Sequence, residues 1–319
     1  MKYKLPHKIK QFFFVLIKLG IVVAAFYFIY IKLTNNNQLN FSVFTNFLSR
    51  NNAFSIENVF FLSILSIFNW FFEILKWKTL ISPIQQISFN HAVEQSLGAL
   101  TASLFTPNRI GEYGVKAIYF LPHNRKHIVL VNILSNSLQM TITSVLGVIG
   151  FSFLISQYDV NINYYKIIKI LIISLASILL ISFVFYKTKF TIKGFSLEKI
   201  KHFIIDYPKN KLASGALFSF FRYAIFSFQF YFLLYIFKID ITYLNAMILI
   251  TSMYLITSLI PSIFIFDVIV KGGVAVYLFS LVGINELTVL CVIMLMWILN
   301  FVIPSILGSY YVLNFKLPK

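Results

Sequence analysis

The sequence predicts an all-α polytopic membrane protein: two inverted three-span repeats, each with a proline-broken re-entrant hairpin. Three observations carry this. First, 59% of the 319 residues are hydrophobic, 12% are charged and mean hydropathy is +0.83, with apolar runs of bilayer-spanning length. Second, two polar interruptions share a grammar. Residues 104–116 (LFTPNRIGEYGVK) and 259–273 (LIPSIFIFDVIVKGG) each hold a proline, then an acid, then a lysine four residues after the acid. Third, the spans divide three to each half, an odd number, which inverts the second half relative to the first, as in many transporters. The chain 1–319 reads as one integral membrane domain, with repeats at 1–157 and 163–316.

At the N-terminus, Lys2, Lys4, Lys8 and Lys10 precede an apolar run at 12–31 with no small-residue cleavage site after it, so it reads as an uncleaved first span. Residues 39–48 are amphipathic. The second span, 59–75, ends in Lys76, Trp77 and Lys78, which read as an interfacial anchor with Glu73 as partner of Lys76. Residues 88–104 are less apolar, and Pro107 breaks the next stretch. A re-entrant hairpin is expected there, tolerated where protein or a cavity covers its backbone. The third span, 128–156, carries Asn132, Asn136, Gln139 and Thr143 at helical spacing, a stripe that should face the bundle interior. The fourth span is 167–186. The link 187–211 holds seven lysines and should lie on an anionic membrane surface. The fifth span, 212–237, places Arg222 about 15 Å from its start. Residues 241–260 enter, Pro261 breaks them, and 264–282 return, either as a hairpin or as two crossings. The sixth span is 287–311.

Charge bias sets the expected topology. Lys and Arg concentrate in the N-terminal segment, after the second span, at Arg125 and Lys126, in the central link and at Lys316 and Lys319. The opposite links hold Lys32, Arg50, Lys166, Lys169 and Lys238. Both termini are therefore expected in the cytoplasm, and the protein in the cytoplasmic membrane. The net charge of +17 follows from this clustering, so no nucleic-acid partner is expected. The one cysteine, Cys291, excludes an intrachain disulfide framework.

The hairpins carry the candidate chemistry. Thr106 can cap a helix beginning at Pro107, and such a helix end at membrane depth suits an anion. Asn108 lies in the same turn. Arg109 adds a bidentate phosphate donor. Gly111 and Gly114 would let a helix or headgroup approach the backbone. Glu112 and Lys116 share a helix face and can pair. Asp267 and Lys271 repeat that spacing, and Arg222 would complete a cationic lining. These ten residues (Thr106, Pro107, Asn108, Arg109, Gly111, Glu112, Lys116, Arg222, Asp267 and Lys271) form the expected substrate site. His91, His123 and His127 lack the spacing of a metal cluster. No GxxxxGK[ST], G-x-S-x-G or HExxH motif occurs, so no metal, cofactor or enzyme activity is expected.

The segment TPNRIGEYGVK resembles the P-x-R-x-G-E segment of the transmembrane region of lysylphosphatidylglycerol synthases, a flippase-like membrane family. The stretch IPSIFIFDVIVKGGVAVYLF is similar to that family's second block, with Asp267 and Lys271 standing where an R-E pair is more usual. EILKWKTL, at the end of the second span, is similar as well. The resemblance implies a lipid carrier. With no aminoacyl-transferase domain in this chain, it does not imply lysine transfer. The expected function is translocation of a phosphate-bearing or zwitterionic lipid. The alternatives are a membrane-embedded transferase using a lipid-linked donor, with Glu112 as base, and a non-transporting scaffold for a membrane enzyme partner.

Overall fold

A computed structural model describes residues 41–50, 55–104, 106, 111–158, 202–260 and 267–318, together with Gly20, Val23 and Tyr27. Outside the described residues lie most of the expected first span, the fourth span, most of the central basic link, and Pro107, Asn108, Arg109 and Pro261.

All described elements are helices: α1 (Phe41–Arg50), α2 (Ile56–Ile81), α3 (Phe89–Ser103), α4 (Gly111–Ile118), α5 (Arg125–Gln157), α6 (Lys209–Ile236), α7 (Tyr243–Leu259), α8 (Asp267–Ser280), α9 (Glu286–Trp297) and α10 (Ile303–Asn314). A π-turn, Ile298–Val302, joins α9 to α10. Four helical stretches are long and apolar enough to cross a membrane: Ile56–Ile81, Arg125–Gln157, Lys209–Ile236 and Glu286–Asn314. These coincide, within a few residues, with the second, third, fifth and sixth expected spans, and the chain is a multi-pass membrane protein.

Local chemistry sets the helix starts. Ser55 accepts the Asn58 N–H at 3.3 Å, Ser88 the His91 N–H at 3.2 Å, Thr242 the Asn245 N–H at 3.4 Å and Asn285 the Leu287 N–H at 2.8 Å. Each takes up one of the N–H groups that a helix start leaves without an internal partner.

The packing pairs α2 with α6, α5 with α7, and α10 with α3, while α4 rests on α3 and α5. Glycines fix two of these crossings. A Cβ on Gly308 of α10 would fall on the Leu97 carbonyl and the Thr101 hydroxyl of α3, and one on Gly150 of α5 would fall on the Thr251 hydroxyl of α7. The helices are this close because no side chain intervenes. The core forms two clusters. One gathers α7, α9 and the end of α6, with Trp70, Phe230 and Phe279. The other gathers Trp77, Leu80, Ala117, Ile128 and Val131 around the end of α2. Along α2, Glu73 falls at the junction, between Trp70 of the first cluster and Ile74 of the second.

Candidate functional site

The site begins with a stripe on α2. Asn69, Trp70, Glu73, Lys76 and Trp77 fall at i, i+1, i+4, i+7 and i+8, one helical face, and all five are buried. A charge removed from water must be paired or it is costly. Glu73 Oε2 meets Lys76 Nζ at 2.7 Å and Arg222 Nη1 of α6 at 2.9 Å. Arg222 also donates from Nε to Asn69 Oδ1 at 3.2 Å and from Nη1 to Gln139 Oε1 of α5 at 3.4 Å. It lies near the middle of its span, tying α6 to α2 and α5.

The second carboxylate comes from α4. Glu112 Oε1 meets Lys116 Nζ at 2.8 Å, and their side chains are 7% and 1% exposed. The i, i+4 spacing legible in the sequence is therefore a formed, buried pair. Lys116 further donates to Asn132 Oδ1 at 3.2 Å and lies 4.3 Å from the centre of the Trp77 ring, whose negative face attracts it. Trp77 is itself held by its indole N–H, which donates to Gln95 Oε1 at 2.8 Å. The α5 stripe faces this cluster as expected: Asn132 accepts from Lys116, Asn136 donates to the Tyr113 hydroxyl at 3.0 Å, and Gln139 accepts from Arg222.

These groups surround a cavity lined by Trp70, Glu73, Ser96, Glu112, Lys116, Asn136 and Arg222, with about 290 Å³ of empty space counting its mouth. Ser96 is buried, and its hydroxyl has no hydrogen-bond partner among the described residues. A polar ladder continues from Asn69 across the bundle. Asn69 Nδ2 donates to Asn300 Oδ1 at 2.7 Å, Asn300 Nδ2 to Gln229 Oε1 at 2.8 Å, and Gln229 Nε2 to the Ser66 hydroxyl at 2.8 Å. Pro304 lacks the N–H that would close a helical bond to the Asn300 carbonyl. The Trp70 indole N–H occupies that carbonyl instead, at 3.1 Å, inside a π-turn of the kind that often marks functional positions.

Of the expected site, Glu112, Lys116 and Arg222 come together at the cavity. Thr106 caps, but the N–H it receives, at 3.0 Å, belongs to Gly111, and its hydroxyl donates to the Ser103 carbonyl at 2.7 Å. Gly111 serves this turn: a Cβ there would press on Thr106 Cγ2 at 2.9 Å, whereas Gly114 has open space around its Cα. Asp267 begins α8. Lys271 is half-buried on the same helix and does not line the cavity.

The expected pairing of Glu73 with Lys76 is formed, but the reading of Glu73, Lys76 and Trp77 as an interfacial anchor is corrected. They are 6%, 0% and 0% exposed, because α3, α4, α5 and Tyr207 cover the end of α2. Glu73 thereby becomes the hub of the charge cluster. Sequence reasoning also passed over Asn69, Gln95, Ser96 and Asn300. A signal existed: Asn69, Glu73, Lys76 and Trp77 form a polar stripe on a span, and Asn300 stands four residues before a proline.

No curated protein and no solved structure matches the chain. The family model described as the lysylphosphatidylglycerol synthase TM region matches residues 15–308, a range that holds every residue of the cavity, and the chain belongs to this family.

Proposed function

We propose that this protein translocates a phosphate-bearing or zwitterionic lipid across the cytoplasmic membrane. Its headgroup would pass through the polar cavity while its acyl chains stay in the bilayer. The observation that carries this reading is a cluster of ionisable side chains at a cavity in a membrane bundle: Glu73, Glu112 and Lys116, which are buried, and the partly buried Arg222 line it, with the buried Lys76 paired to Glu73 behind them. Such groups are costly at membrane depth and by default mark a pathway. Burial keeps the local dielectric low and strengthens whatever polar contact a headgroup makes there. Family membership supports a lipid-related role. This reading has both termini cytoplasmic and alternating access from rocking of one repeat against the other.

The test separates a transport role for Glu112 from a structural one. In vesicles containing equal amounts of folded protein, leaflet-resolved lipid movement is measured for Glu112→Gln and for Glu112→Gln with Lys116→Met. If the pair only holds α4 in place, the uncharged double variant restores movement, since a well-packed neutral replacement of a buried pair is often tolerated. The proposal expects both variants to remain inactive. Full activity in the double variant removes the pair from the pathway.

A further inference from the structure

The helix that carries Glu112 and Lys116 has little of its own to hold it. α4 runs over eight residues, Gly111–Ile118, and its buried residues are Glu112, Lys116 and Ala117. A helix this short is marginal alone, and a buried charged pair adds little stability. The placement of α4 must therefore come from its ends. At its start, Thr106 accepts the Gly111 N–H. After its end come two aromatic residues. Phe120 is buried in the second core cluster, and its carbonyl accepts from Arg125 Nε at 3.0 Å. Tyr119 reaches onto α3 and α10. Its ring meets that of Phe315, just past α10, edge to face at 4.6 Å between centroids. Its hydroxyl lies over Gly98 of α3: a Cβ there would stand 2.5 Å from that oxygen, while the next atoms, Tyr119 Cζ and Tyr311 Cβ, would be at an ordinary 3.6 Å. The notch that receives Tyr119 belongs to a tight crossing. Thr101 of α3 donates to the Ser305 carbonyl of α10 at 2.8 Å, and Gly308 lets the two backbones touch.

We propose that this notch is a seat for Tyr119, and that Tyr119 is a positioning residue for the cavity. Seated, it holds α4 so that Lys116 stands 4.3 Å from the centre of the Trp77 ring and the Glu112–Lys116 pair lines the cavity. Lys116 and Tyr119 are one helical turn apart, so a displacement of one is felt by the other. Two walls of the seat, Tyr311 and Phe315, come from the second half of the chain. A shift of α10 along α3 is therefore passed to the first half's charged pair through one aromatic ring. The role at the cavity rests on the translocation reading above; the seat itself does not.

The experiment blocks the seat and then reopens it. In the full chain, Gly98→Ala puts a methyl group against the Tyr119 hydroxyl, and no other atom is close enough to have to yield. Alanine is the better helix former, so α3 itself is not weakened. Tyr119→Phe keeps the ring and should match the parent. In the double variant the nearest atom to the new methyl is Cζ at 3.6 Å, so the seat is open again. Amide hydrogen exchange in detergent micelles reads local opening. Gly98→Ala should speed exchange across α4 and Phe120 by about tenfold or more, with α2 and α6 unchanged, and the double variant should return to the parent rate. A Gly98→Ala protein that exchanges like the parent overturns the seat. So does a double variant no better than the single, or faster exchange spread evenly over the bundle. A second arm measures movement of acyl-labelled phosphatidylglycerol and, separately, phosphatidylethanolamine in vesicles. Slowing in Gly98→Ala with recovery in the double variant supports the positioning role. Unchanged movement despite opened α4 overturns that role. A parent that moves neither lipid fails the translocation reading and the positioning role with it, and the exchange arm alone then decides the seat.

Discussion

Replacing Glu73 by glutamine removes the hub of the charge cluster while keeping its shape. The consequence can be worked from the contacts. The Lys76 side chain is 1% exposed, and its carboxylate partner lies 2.7 Å away, so the variant strands an ammonium inside the bundle. Breaking a buried pair by removing one partner costs about 3–5 kcal/mol. Arg222 loses its 2.9 Å contact but is 22% exposed and keeps Asn69 and Gln139, so its share is about 1 kcal/mol or less. Glutamine fills the same volume, and no cavity term is added. Glu73→Gln should therefore destabilise by about 3–5 kcal/mol, most of it through Lys76. Adding Lys76→Met removes the stranded charge and should recover most of the loss. Equilibrium unfolding of the full chain in mixed micelles, with increasing denaturing detergent, reads all three proteins. A Glu73→Gln protein within about 1 kcal/mol of the parent, or a double variant no better than the single, would refute the view of Glu73 as a compensating buried anion.

Three other outcomes rest on the packing. Gly150→Ala places a methyl group on the Thr251 hydroxyl, with Thr251 Cβ at 3.1 Å; it should cost about 1–3 kcal/mol, and Thr251→Ala should return part of this in the same unfolding assay. Trp70→Phe leaves the Asn300 carbonyl without its donor and should cost about 1–3 kcal/mol; adding Pro304→Ala supplies a backbone N–H four residues on, so the two changes should prove coupled in a double-mutant cycle rather than additive. Tyr207 donates to the Leu80 carbonyl from a buried position, and burial pushes its phenol up from its ordinary 10.0 to about 12. Because the folded value is the higher one, the contact is intact below pH 10 and its contribution falls as pH rises toward 12. Tyr207→Phe should cost about 1 kcal/mol at neutral pH and make the alkaline loss of stability shallower.

Much of this fold is written in hydropathy, because a bilayer forces every spanning segment to be long, apolar and helical. That is why the ends of α2, α5, α6 and α10 fall within a few residues of the expected spans, apart from the longer C-terminal end of α2. The inward face of α5 was legible for a related reason: Asn132, Asn136 and Gln139 recur at helical spacing, and polar groups on a span turn from lipid. Glu112 and Lys116 were legible because an acid four residues before a lysine specifies a local contact. The pairing of Glu73 with Lys76 was legible for the same reason, but its burial was not. An i, i+3 pair near the end of an apolar run is what an interfacial anchor looks like, and only the tertiary cover over the end of α2 makes it interior.

The two acid–lysine spacings also show where local grammar ends. Glu112 with Lys116 and Asp267 with Lys271 are alike along the chain, yet among the described side chains Glu112 and Lys116 line the cavity and Lys271 does not. A helical spacing states which residues share a face. It does not state which way that face is turned, which depends on how the helix crosses its neighbours. On the first side, α4 lies against α3 and α5 and so turns Glu112 and Lys116 toward Trp77 and Asn132. On the second, α8 lies against α7 and α9, while the second half's contribution to the cavity wall comes from α6, through Arg222 alone among the described residues. That arginine bonds Asn69 and Glu73 of α2 and Gln139 of α5, so the one second-half side chain described in the cavity wall is a guanidinium held by three first-half side chains. Lysine at position 222 would keep the charge but could not hold this fork of partners from one planar group, which makes the geometry of Arg222, beyond its charge, the feature that closes the site.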